Sequence, residues 1–138
     1  MPTLLLKLAA PPSTARSQSL AHALTALTAG ILGKRPEVTA VVIEVLPTGR
    51  WFVGGQAIER PTALLEISIT AGTNTTEQKA AFIEAAHAEL QRQLADDGAF
   101  EEASYVTVRE LPATDWGYAG RSQRARQQER EAAPRAPA

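Results

Sequence analysis

The chain has 138 residues, 44% of them apolar, and a net charge of −1. That is the size of one ordinary domain with room for a core, and it carries no global basic field of the kind that draws in nucleic acid. Cysteine is absent, which excludes disulfides, thiol catalysis and Cys-based metal sites.

Thr3 to Ala9 reads as a strand that Pro11-Pro12 breaks, and Ser13 or Thr14 can cap the helix that follows. Leu20, Leu24, Leu27 and Ile31 share one stripe of a helix spanning 13–32. Gly33 ends that helix and Pro36 forbids its restart. Thr39 to Leu46, rich in Val and Ile, reads as a buried strand. Pro47-Thr48-Gly49 then turns the chain into Trp51-Phe52-Val53, a short β segment closed by Gly54-Gly55.

Leu65, Ile67 and Ile69 alternate with Glu66, Ser68 and Thr70, the pattern of a half-buried strand. After the turn Ala71–Asn74, Thr75 and Gln78 have capping-box spacing. Ile83, Ala86, Leu90 and Leu94 mark the stripe of a second helix, 76–95, with Gly98 as its stop. Ser104 to Glu110 is the fourth strand, with Val106 and Val108 on one face and Tyr105, Thr107 and Arg109 on the other. Residues 122–138 are Arg, Gln, Glu, Ala and Pro almost throughout, and read as a charged tail that is mobile or a loosely held helix.

The two halves repeat. Pro2-Thr3 recurs as Pro61-Thr62, Leu46-Pro47 as Leu111-Pro112, Trp51 as Trp116 and Gly55 as Gly120. The expectation is an α+β domain over 1–121, built of duplicated β-α-β units at 2–58 and 61–120. A crossover of this length implies parallel pairing and a right-handed connection. Two units give a four-stranded sheet with both helices on one face. The other face carries Lys7, Glu66, Ser68, Thr107 and Arg109 among aliphatic residues such as Leu5 and Val42, and is expected to pack against further subunits.

Only the first unit can expose proline as a free amino terminus. A secondary amine there is a base or a nucleophile, whereas Pro61 is an amide. His22 and His87 lack a second ligand at helical spacing, so no metal site is expected. No apolar run reaches a membrane span, and Lys7 and Pro11-Pro12 interrupt any signal-peptide core, so the expected location is the cytoplasm. Gly54-Gly55 lacks the strand-to-helix context of a phosphate loop.

Pro2, the β-α-β unit and the Trp51–Gly55 turn together resemble the tautomerase superfamily, with a tautomerase/MIF-like fold. The turn is similar to that of 4-oxalocrotonate tautomerase. The duplication is similar to its longer relatives, such as malonate semialdehyde decarboxylase and cis-3-chloroacrylic acid dehalogenase. The resemblance covers roughly residues 2–121. It implies removal of Met1, a homotrimer, no cofactor, and Pro2 as general base in keto–enol tautomerisation of a small carboxylate. The alternatives it leaves are a decarboxylase or dehalogenase with a protonated Pro2, for which Glu44, Glu66 and Asp115 are the carboxylates on offer, or a non-catalytic trimeric scaffold or small-molecule binder. Neither nucleic acid nor membrane is an expected partner.

The chain departs from the family in its arginines. Pro11-Pro12, Ala40, Tyr105, Gly72 and Asn74 stand where relatives carry them. A buried substrate carboxylate needs compensating charge. Arg109 is the first candidate to supply it, followed by Arg50 and Arg121, with Tyr105 and Asn74 as hydrogen-bonding groups and Trp51 and Trp116 as walls. Arg109 has a competing structural role, an ion pair with Glu44.

Overall fold

In a computed structural model of the chain, which describes residues 1–133, four strands form one sheet in the order β2-β1-β5-β6. They are β1 (Thr3–Ala9), β2 (Ala40–Val45), β5 (Thr62–Thr70) and β6 (Tyr105–Leu111). Two hairpins of two-residue strands complete the β structure: β3 (Phe52–Val53) with β4 (Gln56–Ala57), and β7 (Gly117–Tyr118) with β8 (Arg121–Ser122). Strand β1 runs parallel to β2, and β5 parallel to β6. The two units join through an antiparallel β1–β5 pair in which Leu6 faces Leu65, its own counterpart. The pseudo-twofold axis passes through that pair.

Helices α1 (Thr14–Leu32) and α2 (Thr76–Leu94) cover one face of the sheet. Leu4, Leu6 and Leu8 of β1 and Leu65, Ile67 and Ile69 of β5 meet Leu20, Leu24, Phe82 and Leu90 of the helices in one core. Burying such side chains contributes about 1.5–3 kcal/mol each, which fixes the strand register, since a one-residue slip would turn them all outward. Ser13 caps α1, and the Thr75/Gln78 capping box caps α2. Gly33 closes α1 at φ 68°, where its missing Cβ removes the left-handed penalty.

Four expectations need correction. The buried residue at the start of the α2 stripe is Phe82, while Ile83 points outward. Helix α2 stops at Leu94 with Ala95 as its cap, and Gly98 serves the turn between Asp96 and Ala99. Strand β2 is a half-buried edge strand, with Ala40, Val42 and Glu44 outward, because only one of its faces meets the helices. Arg109 pairs with Glu66, at 3.9 Å, and not with Glu44, because β2 and β6 lie at opposite edges of the sheet.

Residues at the start of the expected tail form a third helix. Gln123–Ala132 forms α3, capped by Ser122 and held against the second hairpin. Arg126 donates to the Tyr118 carbonyl at 3.0 Å, and its guanidinium lies 3.6 Å from the Tyr118 ring centroid. The expectation for residues 134–138 lies outside the described residues. No described helix is long and apolar enough to cross a membrane.

The two hairpins differ at one strained position. Gly54-Gly55 turns the first with φ 60° and 78°, while Ala119-Gly120 turns the second with φ 53° and 78°. An L-residue with a Cβ pays for that region, so Ala119→Gly is expected to raise stability by about 0.5–1 kcal/mol. Gly54→Ala is expected to cost a similar amount. Urea unfolding of both variants checks this, and a stability loss in Ala119→Gly would contradict it.

Candidate functional site

In a right-handed β-α-β crossover the connection from helix to second strand returns the chain to the end of the sheet where the first strand began. The segment between Gly33 and Ala40 therefore arrives beside Pro2, and the Ala40 N–H donates to the Pro2 carbonyl at 3.2 Å. Strand β5 is antiparallel to β1, so its last residue, Thr70, and the β7–β8 hairpin beyond β6 come to the same end. Helix α3 closes over this end. Together they enclose a cavity of about 210 Å³ at the amino terminus.

Its walls are polar and cationic. Lys34 and Arg35 come from the α1–β2 connection, Thr70 and Thr73 from the end of β5, Tyr118 from the second hairpin, and Gln123, Gln127 and Arg130 from α3. Met1 forms part of the wall, while Pro2, next in the chain, is buried. Lys34 Nζ donates to Thr73 Oγ1 at 2.8 Å, and that hydroxyl donates in turn to the Thr70 carbonyl at 2.6 Å. Arg35 pairs with Glu37 at 2.9 Å. Lys34 and Arg130 have no carboxylate partner among the described residues, and no Asp or Glu lines the cavity.

Burial lowers the pKa of the terminal amine below its ordinary value, and the positive charges of Lys34, Arg130 and Arg35 lower it further. Burial also lowers that of Lys34. The folded amine therefore binds protons less well than the unfolded one. Between its folded pKa and the ordinary value of about 8, the unfolded chain holds more protons, so the contribution to stability rises with pH through that window and is lost below it.

Pro2 follows the wall residue Met1, and none of the other residues singled out from sequence lines this cavity. Register aligns Arg109 with Ser68 and Thr3, but on the sheet face away from the helices, where it meets Glu66. Tyr105 is aligned with Leu64 and Lys7 at the opposite end, 63% exposed. There it lines a separate cavity of about 360 Å³ with Trp51 and the 61%-exposed Phe52. Arg50 sits in the turn just before Trp51. Arg121 is at the Pro2 end of the sheet but pairs with Glu129 of α3 at 2.6 Å. Asn74 donates to the Leu32 carbonyl at 2.9 Å and to Gln78, and so ties α1 to the α2 cap. Trp116 is half-buried, its Nε1 buried without a partner among the described residues.

The cations that do gather at Pro2, Lys34, Arg35 and Arg130, escaped sequence reading. For the first two a signal existed: the break between Gly33 and Pro36 sits in the loop that topology must return to the start of β1. For Arg130 composition gave none, since α3 has no apolar stripe.

The family model described as "Tautomerase enzyme" matches residues 64–126. Among solved structures, a native fused 4-OT is 29% identical, with a TM-score of 0.73 over 89% of this chain and 97% of that one. A fused 4-OT wild-type symmetric trimer is 25% identical, with a TM-score of 0.78 over 90% and 98%. A macrophage migration inhibitory factor-like protein from Entamoeba histolytica shares the fold at 19% identity, with a TM-score of 0.67 over 88% and 97%. No curated protein matches the chain.

The cluster of charge at the amino end yields a direct test. Titration of the terminal amine by NMR is expected to give a pKa below about 8, and Lys34→Gln to raise it. An amine that titrates at its ordinary value in both proteins would contradict the electrostatic description.

Proposed function

Since the chain belongs to the tautomerase superfamily, in its fused two-unit form, we propose that it is a cofactor-free keto–enol tautomerase acting on a small carboxylate, with Pro2 as general base. The observation that carries this reading is the cationic cavity at the amino end of β1. Loss of Met1 would take away part of that cavity's wall and free the Pro2 nitrogen beside it. A secondary amine so placed inherits the desolvation and the positive neighbours that depress the Met1 amine, and is neutral over more of the physiological range.

In the reaction the substrate carboxylate sits between Lys34 and Arg130. The enol O–H bond breaks as its proton leaves, and a C–H bond forms as a proton reaches the neighbouring carbon. Pro2 accepts the one and returns the other, so it ends the cycle unchanged. The fixed ammonium and guanidinium charges stabilise the developing enolate. The carboxylate-free lining favours this over a dehalogenase, which needs an acidic group to activate water.

The sheet face opposite the helices exposes Leu5 and Val42, and a fused relative is a symmetric trimer. We propose the same assembly here, with the face as the interface. Light scattering is expected to give three times the chain mass of 14.7 kDa, and a stable monomer at micromolar concentration would contradict it.

Intact mass is expected to lack Met1. With phenylenolpyruvate as substrate, Pro2→Ala is expected to lose most of kcat/KM while remaining folded. Lys34→Gln and Arg130→Gln are each expected to lower kcat/KM by about 10- to 100-fold, through a higher KM and a lower kcat. A retained Met1, or full activity in Pro2→Ala, would overturn the base assignment.

A further inference from the structure

Three buried side-chain nitrogens have no hydrogen-bond partner among the described residues: Trp116 Nε1, Gln123 Nε2 and Arg126 Nε. Of the three residues, only Gln123 lines the cavity at the amino end. It is 5% exposed. A buried amide donor left without a partner is costly, and native structures seldom keep one without a use for it. The backbone at this point is well anchored. The Gln123 N–H donates to the Trp116 carbonyl at 2.9 Å, and Ser122 caps the helix that Gln123 begins. The Arg126–Tyr118 contacts and the Arg121–Glu129 pair hold that helix down. The main chain is satisfied while the side-chain nitrogen is left unpaired, in a residue that lines the same cavity as the cations Lys34 and Arg130.

We propose that Gln123 is a substrate-binding residue whose amide donates a hydrogen bond to the 2-oxygen, keto or enol, of a bound 2-oxo acid, so that the C-terminal helix sets specificity at the amino-terminal site. This rests on the reading of the Pro2 end as the ligand site. The division of labour follows from chemistry: a carboxylate takes the formal charges, and a neutral donor matches a neutral carbonyl or hydroxyl oxygen. A site built to bond an oxygen discriminates strongly against the analogue that lacks it, because the donor is then buried unpaired.

The test compares two probes, phenylpyruvate and 3-phenylpropanoate, which share ring and carboxylate and differ at the 2-oxygen. Binding is measured by calorimetry on the full chain, its mass checked for Met1. The wild type is expected to prefer phenylpyruvate by about 10-fold or more. Gln123→Met, close in shape but without a donor, is expected to erase that preference while leaving the Tm of the free protein equal or higher, as removal of an orphaned buried donor should. A preference that survives in Gln123→Met overturns the proposal. So does a wild type with no preference, or a preference lost together with a fall of several degrees in Tm, which would make the amide a structural group. Binding through Gln123 without turnover of phenylenolpyruvate would refute Pro2 as base and leave Gln123 standing. Turnover with binding indifferent to Gln123 would refute Gln123 alone, and binding of neither probe would refute both.

Discussion

The constraint on which the rest depends is the parallel pairing of the two strands in each β-α-β unit. A parallel strand pair forces the chain to travel the length of a helix and come back, so the residues that follow α1 must lie beside the residues that precede β1. That single geometric fact brings Lys34 and Arg35 to the amino terminus across more than thirty positions of sequence, and it needs no contact between them to do so. The core contacts of Leu4, Leu6, Leu65 and Ile67 with the helices then hold the arrangement rigid. The site borrows its precision from the sheet.

The twofold repeat gives two such ends, and they have diverged. At the other, the Pro61 carbonyl accepts from Glu101 just as the Pro2 carbonyl accepts from Ala40. Pro61 itself is an amide inside the chain. Its returning loop brings Phe100, which is buried in the core and stacks edge-on against His87 with ring centroids 5.8 Å apart. One unit has spent its loop on packing and the other has kept it for charge. The second hairpin shows the same divergence in reverse. Gly117, the counterpart of Phe52, lies so near the Arg121 carbonyl that no Cβ fits, and the tight hairpin so formed gives α3 its seat over the Pro2 end.

Strand and helix limits were legible in the chain because caps, breakers and alternation all agreed, as at Ser13, Gly33 and the Thr75/Gln78 box. The misreadings have separate causes. Phe82 and Ile83 are adjacent apolar residues among alanines, so periodicity could not settle the phase of the helix. Strand β2 is rich in Val and Ile, but composition does not tell an edge strand from a central one. Pairing Arg109 with Glu44 took repeat equivalence for contact, although the twofold sends those two strands to opposite edges. Helix α3 is held by hydrogen bonds, an ion pair and a cation–π contact, with only Gln123 buried, so no apolar stripe announces it. The candidate site suffered most, because its cations come from a loop and a polar helix, and conversion of topology into proximity was the step that would have found Lys34.

The central claim is that one amine, tuned by burial and by Lys34, performs the proton transfer. The most direct measurement sets the pH dependence of kcat/KM beside the NMR titration of ¹⁵N-labelled Pro2 in the same preparation. The ascending limb of the rate profile should coincide with the titration of the amine, below about 8. In Lys34→Gln both should move up together. A rate profile that stays flat through the amine's titration, or that keeps its midpoint while the amine's pKa shifts, would show that another group moves the proton.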